Sequence, residues 1–213
     1  VINSKKEPVT CIIGGSKISS KIDVIISLIE KINNLIIVGA MANNFFIYKK
    51  FNVGKSLIEN NKEEIIKQIY DKAKKSNCEI VIPEDCMVST SLNGEGKNKN
   101  LKQIEDNEII LDVGINTLKN IKKIIDQSHT ILWNGPAGYF ENKNFLNGTM
   151  SIAKIISENT HKKTLISVIG GGDTLAAINK SRNKLYFSHL STAGGAFLEY
   201  LEGKDLPGLS VLK

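Results

Sequence analysis

The sequence predicts an α/β chain: a three-layer, Rossmann-like domain with a mainly parallel sheet and helices on both faces. Three observations predict it. Short apolar runs rich in Ile, Val and Leu recur along the chain, as expected of strands buried on both faces. Between them lie segments with the apolar spacing of helices, and strands alternating with helices call for a parallel sheet. Five of the runs end in glycine-bearing corners that start helices, at Gly14, Gly39, Gly135, Gly170 and Gly194. In such a sheet every strand-to-helix corner lies at one edge, where ligands bind, so loops far apart in sequence converge on one cleft.

Taken in order, residues 9–13 (VTCII) read as a strand emptying into Gly14, Gly15, Ser16 and Lys17. Residues 18–32 continue as an amphipathic helix, with Lys21 one turn beyond Lys17. The two lysines are thereby expected on one helix face. Acids rather than lysines suit a first turn, so this pair suggests an anion to bind; a pair of solvated lysines is the alternative. Residues 35–38 form the next strand, closed by Gly39, Ala40 and Met41 before a helix carrying Asn43 to Phe46. A loop follows around Gly54, then a helix over 62–74 and a strand over 79–83 ended by Pro83. Residues 89–108 turn polar and lack periodicity, which predicts an exposed excursion with Lys97, Lys99 and Lys102 solvated. Residues 109–113 are apolar around Asp112, and Asn116 or Thr117 can cap the helix over 118–126. Residues 130–133 are a strand leading to Asn134, Gly135 and Pro136, a loop able to pin a ring or simply to turn. Residues 147–156 open a helix.

The stretch 165–178, LISVIGGGDTLAAI, joins an apolar run, three glycines, an acid, a hydroxyl and a helical segment. It reads as strand, phosphate loop and helix: Gly170, Gly171 and Gly172 let the backbone approach a ligand, and the free N–H groups of a first turn favour an anion. Asp173 would repel a bare phosphate, which suggests that it holds Mg²⁺ against one; an ordinary N-cap is the other reading. Residues 185–188 lead to His189 and the final glycine corner at Gly194 and Gly195, before a helix over 196–201.

The 213 residues are 41% hydrophobic, enough for a sizeable core, and one domain is the simpler division. With 28 Lys and Arg against 22 Asp and Glu the formal charge is +6, yet no compact basic block appears and aromatics are 6%, which argues against a nucleic-acid partner. Cys11, Cys78 and Cys86 show neither disulfide nor zinc spacing, so a reducing, cytoplasmic setting is expected. No apolar run reaches the ~18 residues of a membrane span. The start at Val1 in place of Met suggests processing or a piece of something longer.

A dinucleotide fold is disfavoured, because Leu175 stands where the glycine pattern wants Gly or Ala and no acid follows the next strand. The Walker spacing is absent as well. The blocks GGSKISSKI (14–22), VGAMANNF (38–45), VGKSL (53–57), LDVGINT (111–117), WNGPAGYFE (133–141), GGGDT (170–174) and SHLSTAGGAFLEYLEGKDLPG (188–208) instead resemble, in order, the C-terminal nucleotide-binding half of phosphoglycerate kinases. The resemblance implies reversible phosphoryl transfer from 1,3-bisphosphoglycerate to MgADP, giving MgATP and 3-phosphoglycerate. It implies that Lys17 stabilises the transferring group and that Lys21 holds an adjacent phosphate. Asp173 would hold Mg²⁺, while Asn134, Gly171, Gly172 and Thr174 line the phosphate path beside Ser16. Gly15, Gly39, Leu57, Leu111 and Pro136 would wall the adenine slot, Glu141 would reach the ribose, and Gly194 and Gly195 would open the helix facing the reaction centre. His189 is assigned to structure, since no general base is needed. Val38 and Ala40 stand where the family commonly has glycine and are expected to narrow the adenine slot; Ala193 replaces a further glycine, and Ile115–Asn116 a Pro-Lys pair. The resemblance places residues 1–213 as one nucleotide-binding domain and leaves the phosphoglycerate-binding N-terminal domain outside the chain. A monomer that binds nucleotide without turnover is expected. A free-standing nucleotide-binding module without kinase activity is the second hypothesis.

Overall fold

In the computed structural model, which describes residues 6–193 and residue 199, the apolar run Val9–Ile13 (β1) is buried on both faces. Its side chains alternate between two cores. Cys11 and Ile13 join Leu35, Ile37 and the helices Ile22–Ile29 (α1), Ala42–Tyr48 (α2) and Glu63–Lys75 (α3). Ile12 faces the other way, with Ile36, Trp133 and Ile169, toward Ile115–Gln127 (α4) and Asn147–His161 (α5). A strand buried on both faces is apolar nearly throughout, which makes these runs legible; the buried Thr10 is an exception satisfied by the Ser128 hydroxyl (2.7 Å).

β1 sits in the middle of a six-stranded parallel sheet. Asn34–Ile37 (β2) and Glu79–Val81 (β3) lie to one side, and Thr130–Asn134 (β7), Ile166–Gly170 (β8) and His189–Ser191 (β9) to the other, in the order β3-β2-β1-β7-β8-β9. The order reverses between β1 and β7, so the crevice at the carboxyl ends of these two strands is the expected ligand position. β8 leads through Gly171 into Gly172–Ile178 (α6). The chain is an α/β, Rossmann-like fold, as the sequence predicts. The corner at Gly194 and Gly195, and the helix expected over 196–201, lie outside the described residues.

Three expectations are corrected. Residues 89–108 are not a structureless excursion: Asp85–Ser89 (β4), Lys97–Asn100 (β5) and Ile109–Val113 (β6) form a second, antiparallel sheet in the order β5-β4-β6. β5 reads Lys-Asn-Lys-Asn and buries almost nothing, so it held no apolar pattern; its backbone ladder to β4 makes it a strand. Lys99 is not simply solvated, since it bridges Glu105 (2.7 Å) and Glu108 (2.8 Å). Second, α1 begins at Ile22, not at residue 18. Ile18 is drawn into the core and the Ser19 N–H is taken by the Glu59 carboxylate at 3.0 Å, so residues 16–21 form a loop and Lys17 and Lys21 do not share a helix face. Third, the cap of α4 comes from neither Asn116 nor Thr117. Asp85 of β4 supplies it, accepting from the Asn116 N–H (2.9 Å), the Thr117 N–H (2.8 Å) and the Thr117 hydroxyl (2.7 Å).

Candidate functional site

The loops after β1, β2 and β7 are laced together at the switch point. The Gly14 N–H donates to the Asn134 carbonyl (2.8 Å), Gly15 to Pro136 (3.2 Å), Gly39 to Ala137 (3.1 Å) and Met41 to Gly15 (3.0 Å). The approach leaves no room for side chains. A Cβ on Gly135, whose φ is +98°, would stand 2.2 Å from the Gly14 carbonyl oxygen, so only glycine fits there.

Two adjoining clefts open over this seam. The larger, about 440 Å³, is walled by Gly15, Gly39, Ala40, Leu57, Leu111, Pro136 and Tyr139, with Glu141 on its lining. The smaller, about 210 Å³, is lined by Lys17, Lys21, Asn134, Gly171, Gly172 and Thr174. Gly15, Ser16, Pro136 and Asp173 line both. Every candidate site residue within the described part of the chain thus lies on one cleft or the other; Gly194 and Gly195 fall outside it.

The larger cleft is mostly apolar and its walls are fixed to one another. The Asn43 amide donates to the Leu57 carbonyl (2.9 Å), the Ile110 N–H to the Ser56 hydroxyl (2.8 Å), and the Tyr139 N–H to the Leu111 carbonyl (2.7 Å). These bonds hold Leu57 and Leu111 at a set separation through their chain neighbours. Of the two residues expected to narrow this space, Ala40 lines it, but Val38 does not: its side chain is fully buried in the core with Ile36 and Trp133. The alternation along the strand end turns Val38 away.

Asp112 was not singled out as a site residue, yet it lines the larger cleft. It is 3% exposed, and burial pushes its carboxyl up to about 7, although the Gly148 N–H (2.6 Å) and Val113 N–H (2.9 Å) pull the other way. It joins β6 to the start of α5. The signal was there, an acid between apolar neighbours in a buried strand, where a charge requires a partner.

The smaller cleft is polar. The Lys21 ammonium donates to the Gly14 carbonyl (2.9 Å) and the Asn134 side-chain oxygen (2.5 Å), and burial lowers its pKa to about 8 despite the raising effect of Cys11 and Asp173. Lys17 is exposed, with no side-chain partner among the described residues. Thr174 is buried and its hydroxyl accepts from the Gly135 N–H at 2.7 Å, which ties the β7 and β8 corners together and leaves its proton free to donate. Gly171, with φ +99°, must be glycine, since a Cβ would stand 2.9 Å from the Asn134 amide nitrogen. An apolar slot continuous with a lysine-lined polar cleft suits a flat ring at one end and anionic groups at the other.

Known proteins resemble this chain over its whole length. The profile of the phosphoglycerate kinase family matches residues 1–204. A phosphoglycerate kinase of Wolbachia pipientis is 44% identical over 214 residues, covering all of this chain and 54% of that protein, and one of Chelativorans is 41% identical over the same span. The structure of the enzyme from Coxiella burnetii superimposes with a TM-score of 0.92 at 39% identity over 99% of this chain and 54% of that one. That of Pyrococcus horikoshii gives 0.77 at 28% identity. The chain spans about half the length of the relatives it matches.

Proposed function

Because the chain belongs to the phosphoglycerate kinase family, we propose that it is the C-terminal, nucleotide-binding half of such a kinase, residues 1–213 forming one domain that binds MgADP and MgATP. The observation that carries this reading is the shared wall of the two clefts, where Gly15, Ser16, Pro136 and Asp173 stand between an apolar slot and a lysine-lined one. Adenine would lie between Gly15, Gly39, Leu57, Leu111 and Pro136, with the ribose hydroxyls toward Glu141. Lys21, Asn134, Thr174 and the backbone at Gly171 and Gly172 would receive the phosphates.

In this reading the acyl phosphate of 1,3-bisphosphoglycerate passes to the terminal oxygen of ADP, and 3-phosphoglycerate leaves as a carboxylate. No proton is moved, so no general base is required and His189, exposed on β9, takes no part. What the reaction needs is positioning and cations where negative charge spreads. Lys17, without a side-chain partner among the described residues, would meet the transferring group. The second half of the kinase, carrying phosphoglycerate and further positive charge, would close over the cleft, and the chain alone would bind nucleotide without turnover as a cytoplasmic monomer. Gly194 and Gly195 are proposed to lie at the same reaction centre.

Mg²⁺ fits the donor set here in one way only. Among the described residues no three His, Cys, Asp or Glu gather into a cage, and Asp173 is the carboxylate at the shared wall. A lone carboxylate suits an ion that arrives with the nucleotide and keeps most of its waters. When bound, the ion would neutralise phosphate charge that Asp173 would otherwise repel.

Calorimetric titration with ADP and with NAD, each with and without Mg²⁺, tests the reading. ADP binding that strengthens with Mg²⁺, beside no NAD binding, is expected; binding of NAD, or of neither ligand by the folded chain, would reject it.

A further inference from the structure

Glu59 lies on neither cleft, yet its segment walls one and holds the loop that lines the other. Two residues earlier, Leu57 walls the larger cleft, its carbonyl held by the Asn43 amide. At Glu59 the backbone is fixed in both directions by one side chain: the Asn44 amide nitrogen donates to the Glu59 carbonyl (2.6 Å) and the Asn44 side-chain oxygen accepts from the Glu59 N–H (3.2 Å). Asn43 and Asn44 are buried on α2, so this segment is anchored to the core. The Glu59 carboxylate then reaches across forty residues of sequence to Ser19, where one oxygen accepts from the N–H at 3.0 Å and the other from the hydroxyl.

Ser19 sits in the loop over 16–21, between Lys17 and Lys21. Within that loop the Ser20 hydroxyl donates to the Lys17 carbonyl (2.9 Å) and the Lys21 N–H to the Ile18 carbonyl (2.9 Å). To the rest of the fold it is tied by buried Ile18, by Lys21 bonded to Gly14 and Asn134, and by Ser19 clamped by Glu59. The bonds inside the loop shape the turn, and the two-oxygen grip on Ser19 fixes that turn against the Leu57–Glu59 segment. Each carboxylate oxygen accepts one hydrogen bond from Ser19, so the acid is aimed at the loop and not into either cleft.

We propose that Glu59 is a positioning residue: it ties the wall of the base slot to the lysine loop, so that the anchored Leu57–Glu59 segment sets where Lys17 and Lys21 meet the phosphates. This rests on the nucleotide reading of the two clefts. It differs from a structural role in a measurable way, since loosening the loop weakens contacts to phosphates and leaves contacts to the base unchanged.

The test compares the 213-residue chain with Glu59→Ala, Glu59→Gln, Ser19→Ala and the double variant. Calorimetry with adenosine and with ADP should show ADP affinity about fivefold weaker in Glu59→Ala, as loss of one exposed charge-assisted clamp implies. Adenosine affinity should change by less than twofold. Glu59→Gln, keeping one acceptor, should fall between, and Ser19→Ala should add nothing to Glu59→Ala. Amide hydrogen exchange of the ligand-free chain provides the second measurement: the amides over 19–21 should exchange faster in Glu59→Ala while those of α2 do not. Equal losses for adenosine and ADP, or unchanged exchange over 19–21, would overturn the proposal. Failure of the unaltered chain to bind ADP would reject the nucleotide reading instead, and the exchange result would still decide whether Glu59 holds the loop.

Discussion

Lys21 is one of two lysines on the smaller cleft, which Asp173 also lines, and its environment makes its charge conditional. Burial brings its pKa down to about 8, from about 10.5 when unfolded, so the folded state binds fewer protons than the unfolded state between those values. Stability therefore rises with pH across that window, while below it the cost of holding the buried ammonium is fully present. Nucleotide binding has the opposite sense, because a phosphate beside Lys21 favours the charged form. ADP affinity is expected to fall as pH rises from about 7 to about 9.5, with proton uptake on binding near pH 8. Titrations in buffers of different ionisation enthalpy read that uptake directly, and Lys21→Met should abolish it together with most of the affinity. A flat profile in the unaltered chain would remove Lys21 from the phosphate path. The two lysines were legible from their spacing in the sequence. Their placement was not, because the helix they were expected to share is unwound there by Ile18, which needs the core, and Ser19, which finds Glu59.

Single elements here are held by residues from other elements, and this is where local reading failed. α4 starts at a glycine, Gly114, that has no side chain to cap it. Asp85 on β4, 1% exposed, takes over: beyond its three bonds to Asn116 and Thr117 it accepts from the Asn98 amide of β5 at 3.0 Å. Burial pushes its carboxyl up, but these hydrogen bonds outweigh burial and hold it below the ordinary carboxylate range. The stability it contributes is thus present above that range and lost as pH falls through the lowered value. Asp85→Ala should cost about 2–4 kcal/mol, since it leaves two helix N–H groups without their acceptor, while the Thr117 hydroxyl keeps the Asp85 carbonyl. Urea unfolding should show this as a lower midpoint at unchanged slope; a shift worth under about 0.5 kcal/mol would mean that water replaces the cap. The same bond explains why the small sheet escaped the sequence reading. β5 is a polar edge strand whose reason for being there is a ladder to β4 and an amide on Asp85, neither of which leaves a periodic trace.

At the scale of the molecule, the parallel sheet was legible because each central strand is buried on both faces and is mostly apolar, with only Thr10, Thr130, Asn134, Ser167 and Gly170 interrupting the runs of β1, β7 and β8. The cleft was legible because its corners require glycine, as the 2.2 Å clearance over Gly135 shows. What neither pattern encodes is the proposed second half, and it is there that Lys17 has its argument. Every other polar side chain proposed to receive phosphate is already engaged: Lys21 with Gly14 and Asn134, Thr174 with Gly135. Lys17 is exposed, without a partner among the described residues, beside the wall shared by both clefts. A cation without a partner among the described residues is suited to charge that develops only when a second substrate closes over it, and such a cation acts on the transition state rather than on ground-state binding. Joined to a phosphoglycerate-binding half from a relative, the chain should gain turnover, and Lys17→Ala in that assembly should lower kcat by about a hundredfold or more while ADP affinity changes by less than about threefold. A matching loss in both would mean that Lys17 only binds nucleotide, and an unchanged rate would place the transferring group elsewhere.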